Sequence, residues 1–230
     1  MKKRKALLPL SAGLGFLLGG LLVYILGIRN WLLKWGATPE ELNAGLPGDD
    51  LLSSPGYRTT RAITIHAPAA QVWPWLVQIG YGRAGWYSYD QLEEAAGAGD
   101  FMEGQSTRRI IPELQELKIG DAIPAAPPPY LAFHVQDLQA ARYLVTRCTI
   151  DMFSGHDLGV GNRRGNYLDG TWVFFLHETG PHTTRMVFRL RAEYPATPLM
   201  GAMVRGVLEP VHFLMEQKMM RGIRERAESM

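Results

Sequence analysis

The chain has 230 residues, 24 Lys and Arg against 22 Asp and Glu, a net charge of +2, one cysteine and 47% apolar residues. That length suits one domain with an appendage. The lone cysteine excludes an internal disulfide framework and a Cys-only zinc site, and the near-neutral charge gives no basis for a nucleic-acid partner.

The charge is unevenly placed. Residues 1–30 hold five basic side chains (Lys2, Lys3, Arg4, Lys5, Arg29) and no acidic one, so the rest of the chain is mildly acidic. Ala6 to Ile28 is an uncharged run of 23 residues. As a helix it reaches ~34 Å, enough for a hydrocarbon core of ~30 Å. Trp31 and Trp35 follow as interfacial anchors do. A cleaved signal peptide also starts basic and apolar, but its core is usually ~7–15 residues and a small-x-small site follows it; neither fits here. Residues 1–35 therefore read as a basic flank and a single transmembrane helix. The basic flank puts the N-terminus in the cytoplasm and the bulk outside.

Residues 36–56 read as a linker with a short helix, because Thr38-Pro39-Glu40-Glu41 supplies a capping Thr, Pro at the first helical position and Glu at the third. Nothing before Tyr57 looks apolar enough for a core. Arg61–His66 alternates with Ile63 and Ile65 on one face, a half-buried strand. Ala69–Ile79 is an amphipathic helix with Pro74 inside it, and Ser88–Glu94 a short helix capped by Ser88. Strands follow at Asp121–Ile123, Leu131–Val135, Tyr143–Ile150, Thr171–Glu178 and Thr183–Arg191, with turns at Asp137–Ala141 and Thr179–His182. Residues 151–170 hold five glycines and read as a long adaptable loop. The chain ends in a long helix. Met200, Val204, Val207, Val211, Leu214 or Met215, Met219 and Ile223 would be its apolar face, Arg205, Glu209, Glu216, Lys218, Arg221 and Arg224 its polar one, and Pro210 should bend it.

The order is one strand, two helices, a run of antiparallel strands and a long helix. This is an α+β domain over residues 57–230, whose sheet must bury one face under the terminal helix. The residues that carry this pattern are Arg61-Ala-Ile-Thr-Ile-His-Ala-Pro68, Val72-Trp-Pro-Trp-Leu-Val-Gln78, Gly85-Trp-Tyr-Ser-Tyr-Asp90, Ile111-Pro-Glu-Leu-Gln115, Leu117-Lys-Ile-Gly-Asp121 and a last helix with Glu209-Pro210 and Met215-Glu216. Over about residues 57–228 they resemble the SRPBCC superfamily, the START-like helix-grip fold of plant allergens, lipid-transfer domains and polyketide cyclases. The resemblance is to an uncharacterised bacterial subgroup, some members of which carry a similar N-terminal hydrophobic segment. It implies a curved antiparallel sheet around the C-terminal helix and an internal apolar pocket. It implies no reaction, because such folds host binders and enzymes alike. One departure is the Pro-rich stretch at Pro124 and Pro127–Pro129, where relatives are glycine-rich.

Candidate chemistry is sparse. His177-Glu178 and His182 mimic a zinc motif, but a Gly180-Pro181 turn cannot present both histidines on one helical face. The glycines at 155, 159, 161 and 165 lack the strand-loop-helix context of a phosphate loop. Cys148 lies in a strand, where a thiol is inert. Tyr87, Tyr89 and Asp90, with His134, Arg147 and His156, are the polar groups that general acid–base chemistry would draw on. Trp75, Tyr87, Tyr89, Phe133, Trp172, Phe174, Met203 and Val207 are the candidate ligand-binding residues, and methionines suit a pocket of adaptable shape. No catalytic residue is assigned, and no metal or cofactor is expected. The reading is a membrane-anchored binding protein for a hydrophobic small molecule or lipid held between sheet and helix. The alternatives are a cyclase, aromatase or hydratase using the same pocket, and a membrane-bound interaction module without a ligand.

Overall fold

Alternating β-branched and aromatic residues build the sheet, and hairpins order it. In the computed structural model, which describes residues 24–230, six strands form one antiparallel sheet. They are β1 (Tyr57–Ile65), β2 (Ala122–Pro124), β3 (Ala132–Gln139), β4 (Tyr143–Asp151), β5 (Tyr167–Gly180) and β6 (Thr183–Glu193), in the order β1-β6-β5-β4-β3-β2. β2 to β6 are successive antiparallel neighbours, and β1 closes the other edge against β6. β3 runs past Val135, where a turn was expected, because a bulge between Val135 and Asp137 restores its register with β4.

The helices are α1 (Arg29–Lys34), α2 (Pro39–Asn43), α3 (Ala69–Val77), α4 (Asp90–Ala95), α5 (Pro198–Met203) and α6 (Glu209–Glu228). α4 starts after Tyr89 without a side-chain cap, so Ser88 does not cap it. α6 covers one face of the sheet with α3 beside it, enclosing a core that includes Ile63, Ile65, Trp75, Phe174, Phe188 and Met220. This is the helix-grip arrangement implied by the sequence resemblance.

The terminal helix is not continuous α-helix. A π-helical turn, Val204–Leu208, separates α5 from α6, and the Glu209 N–H donates to the carbonyl of Val204, five residues back. Pro210 explains the site of this irregularity: it has no N–H for the carbonyl of Gly206, and its ring crowds that carbonyl. The extra residue rotates everything beyond it by roughly 100° against a regular helix. Met200, Val204, Met219 and Ile223 are buried as the expected face requires, but its middle is overturned. Glu209, Phe213, Glu216, Met219, Met220, Ile223 and Ala227 are buried, whereas Val207, Val211 and Leu214 are 49%, 55% and 44% exposed.

The segment 36–56 also differs from a plain linker. Its helix α2 forms with the expected capping box: Thr38 Oγ1 accepts from the Glu41 N–H, and Glu41 accepts from the Thr38 N–H. Arg185, Arg189 and Arg191 alternate along β6 and so share its outer face. Arg185 pairs with Glu41 at 2.6 Å, Arg189 donates to the Ala44 and Glu41 carbonyls and to Asp49, and Arg191 donates to the Leu52 carbonyl. Leu52 is buried, so the segment carries core after all.

The expected anchor, Ala6–Ile28, lies outside the described residues as far as position 23. Its last five residues, Tyr24–Ile28, form a π-helical turn that runs into α1. Among the described residues no helix is long and apolar enough to cross a membrane. α1 packs on α6: Arg29 forms a bidentate pair with the buried Glu209, both bonds 2.7 Å, and the Trp31 and Phe213 rings lie 5.1 Å apart.

Candidate functional site

The interior between sheet and α6 is aromatic and filled. Trp172, on β5, is its hub. Its ring lies 5.9 Å from Trp86 at an interplanar angle of 22°, 5.2 Å from Phe133 and 4.6 Å from Phe174. Phe174 in turn meets Phe188 edge-on at 4.6 Å. The stacked Trp86–Trp172 and edge-on Phe174–Phe188 pairs are geometries that aromatic quadrupoles favour. Ile79, Ile123 and Thr146 complete the wall, and the gap enclosed has no room for a water molecule. Phe133, near the sheet edge formed by three-residue β2, is half-buried and is the outermost ring.

Beneath the aromatics lies an enclosed polar group from β1, β5 and α6. Arg61 Nη1 meets Glu216 Oε2 at 2.5 Å, with both side chains fully buried. Trp172 Nε1 donates to Glu216 Oε1 at 2.9 Å. Arg61 Nε donates to the Leu32 carbonyl of α1 at 2.7 Å, and Arg61 Nη1 lies 3.0 Å from His212 Nδ1. Arginine only donates, so Nδ1 accepts and the proton sits on Nε2, which has no hydrogen-bond partner and lies 3.4 Å from Glu216 Oε1. The Tyr57 hydroxyl is 3.3 Å from the same Nδ1. Burial lowers the His212 pKa to about 4, outweighing the attraction of Glu216, so the imidazole is neutral at pH 7. Burial opposes the Glu216 charge, yet Arg61 holds its carboxyl below the usual range. The group thus holds a fixed ion pair, sealed from water, beside a neutral and partly exposed imidazole.

The predicted site residues divide. Trp75, Tyr87, Trp172 and Phe174 lie in the main core, and Phe133 packs against it. Tyr89 and Val207 are exposed, and Met203 is half-buried on α5; these three do not line the interior. For Val207 the cause is the π turn. The acid–base candidates do not form one group: Tyr87 and Asp90 border one cleft, while His134 and Arg147 face each other across β3 and β4. The Tyr87 hydroxyl accepts from Gln78, and Asp90 accepts from the Ser106 N–H and hydroxyl. His134 pairs with Asp157, Arg147 forms a bidentate pair with Asp169, and His156 is exposed. Among the described residues no three His, Cys, Asp or Glu side chains come together as a metal site.

Two clefts lie elsewhere. One of about 170 Å³, polar, is bounded by Tyr87, Asp90, Ser106, Arg108, Lys218 and Arg226. Its charges are mostly committed: Arg226 donates to the Thr107 carbonyl and stacks on Tyr87, and Arg108 pairs with Glu225. The other, about 280 Å³ and apolar, lies between α2 and the outer sheet face at Phe175 and Val187.

Arg61, Glu216, His212 and Tyr57 are absent from the predicted site. The signal for one of them was present. Arg61 shares the face of Ile63 and Ile65, and a charge on a buried face demands a partner. Glu216 was assigned to the polar side only because the helix phase was carried through Pro210.

No family model matches the sequence, and no curated protein matches it. Among solved structures, a conserved protein from Geobacillus kaustophilus is 14% identical, with 75% of this chain and 96% of that one covered and a TM-score of 0.41. A protein from Arthrobacter aurescens is 14% identical over 73% and 86%, with a TM-score of 0.39. The Zhui aromatase/cyclase from Streptomyces sp. R1128 is 14% identical over 75% and 93%, with a TM-score of 0.33. Likeness at this level assigns no activity.

Proposed function

We propose that the chain is a membrane-anchored helix-grip protein that takes up a small planar apolar molecule among Trp86, Phe133, Trp172 and Phe174. The Ala6–Ile28 run holds it in the bilayer, with the N-terminus cytoplasmic and the domain outside. The observation that carries the binding reading is the double role of Trp172. Its ring is the centre of an apolar cluster, while its Nε1 reaches the Arg61–Glu216 pair. Apolar walls over a small polar floor are how ligand sites fix orientation.

Because the cluster is closed, uptake requires ring displacement. Trp86 and Trp172 are near-parallel at 5.9 Å. With no room even for a water between the rings, a flat molecule needs them to part by about one further stacking distance, about 3.5 Å. Phe133, half-buried at the sheet edge, is the wall that turns aside. A lipid chain makes the same apolar demand without stacking.

Titration of the full chain in detergent with N-phenyl-naphthylamine and, separately, with a long-chain fatty acid tests this. Saturable quenching of tryptophan emission by the aromatic probe is expected, with tighter binding in Phe133→Ala, which opens the mouth. Saturation by the fatty acid alone moves the reading to lipid. Saturation by neither, with Phe133→Ala merely destabilised, leaves the cluster a plain core. Resistance to alkaline carbonate tests the anchor, and protease attack on intact spheroplasts tests its orientation.

A further inference from the structure

The π turn that buries Glu209 and Glu216 leaves an apolar stripe facing out. Val207, Val211 and Leu214 follow one another at helical spacing and are all exposed. The segment that packs on α6 through Arg29–Glu209 and Trp31–Phe213 also shows apolar surface, with Ile28 47% and Trp31 54% exposed. The Tyr24 hydroxyl donates to the Arg205 carbonyl, which fixes the end of the uncharged run against the start of the stripe.

We propose that this outward side of the α1–α6 pair rests on the bilayer that holds the N-terminal run, so that the domain lies on the lipid surface instead of hanging from a free tether. The proposal rests on the anchor reading above and goes beyond it by naming the docking face.

Three observations select lipid as the occupant. The first is continuity: the uncharged run ends at Ile28, which is itself part of the face. The second is residue type, since exposed Trp31 with Val207, Val211 and Leu214 is what an interfacial helix presents to acyl chains. The third is charge. Of the acidic side chains of α6, Glu209 and Glu216 are buried and paired with Arg29 and Arg61, while Glu225 and Glu228 lie in its last turn beyond the stripe, Glu225 paired with Arg108. Alongside the stripe itself the other charges, Arg205, Lys218, Arg221 and Arg224, are positive. An apolar stripe with a cationic rim complements anionic lipid headgroups, whereas a second copy would set like charges against each other.

The test uses the full chain with Val211→Cys, carrying an environment-sensitive nitrobenzoxadiazole label, in vesicles of phosphatidylcholine mixed with phosphatidylglycerol. Cys148 is buried, with its thiol pushed up to about 12, so it stays unlabelled. His182→Cys, in the β5–β6 turn, is the water-exposed control. The label at 211 should shift to the blue and lose emission to nitroxide-bearing lipid, with no change at 182. A label at 211 that only aqueous iodide quenches, in protein that resists carbonate, overturns the docking face and leaves the anchor standing. Extraction by carbonate overturns the anchor and this proposal with it. Efficient cross-linking of Val211→Cys between two chains assigns the face to a second copy and also overturns the proposal.

Discussion

Arg61 on β1 and Glu216 on α6 form an ion pair with both side chains fully buried, the shortest contact 2.5 Å. It joins the sheet to the helix that grips it. Through the Leu32 carbonyl it also reaches α1, and through Trp172 the aromatic interior. Burying two charges costs several kcal/mol each, repaid only while the pair is intact. Arg61→Met or Glu216→Leu alone should cost about 3–5 kcal/mol, because each strands a buried charge. The double substitution should cost much less than the sum of the singles. Denaturant unfolding of the four chains measures the coupling; additive losses would deny it.

His212 makes stability depend on acid. Its folded pKa, about 4, lies below the ordinary 6.5, so the native state binds fewer protons than the unfolded chain between those values. Its contribution is complete above pH 6.5 and is lost as pH falls towards 4. Between pH 7 and pH 5 the loss is about 2 kcal/mol. The carboxyl of Glu216, also lowered, adds a loss of the same sign at lower pH. His212→Gln should flatten the slope between pH 7 and 5, and urea midpoints at the two pH values decide it.

Glu93 titrates in the opposite sense. It lies on α4 with both carboxylate oxygens buried and without hydrogen-bond partners. Burial first, then the charge of Asp90, raises its pKa to about 7. The native state therefore binds more protons than the unfolded chain from about 4.5 to 7. The stability tied to the neutral form is present at low pH and lost as pH rises through 7. Glu93→Gln should leave stability unchanged near pH 4 and raise it by about 3 kcal/mol at pH 8. Equal melting temperatures for the two chains at pH 8 would refute the assignment.

The antiparallel strands, α3 and the capping box of α2 were legible because periodicity and cap chemistry are local. The interior site was legible only in its apolar half. Trp172 and Phe174 could be named from strand alternation, and Arg61 stands out on the face of Ile63 and Ile65, but its partner Glu216 could not be named, because the pairing links positions 155 apart in sequence. The helix phase failed for a specific reason. A repeat read from Met200 and Val204 predicts Val207, Val211 and Leu214 inward, and one inserted residue before Pro210 turns them out. The segment 36–56 reads as a linker in the sequence because its attachment is carried by Arg185, Arg189 and Arg191 of a strand more than a hundred residues later. Long-range polar pairing leaves no periodic trace.

Trp172→Phe separates the structural and binding roles of the aromatic hub. Phenylalanine keeps an apolar ring in the cluster but removes the N–H that Glu216 Oε1 accepts. That oxygen would keep only His212 nearby, at 3.4 Å. An unsatisfied buried acceptor of this kind costs about 1–3 kcal/mol, and the smaller ring adds a cavity cost. The substitution should therefore lower the urea midpoint. If Trp172 also stacks against a bound planar molecule, the affinity for N-phenyl-naphthylamine should fall by about tenfold, which corresponds to ~1.4 kcal/mol of lost stacking. Phe188→Leu is the control: its parent residue touches the cluster only through edge contacts with Trp172 and Phe174. It should destabilise the fold comparably and leave probe affinity nearly unchanged. A parallel loss of affinity in both variants would show that binding merely follows stability, and the stacking role of Trp172 would fall.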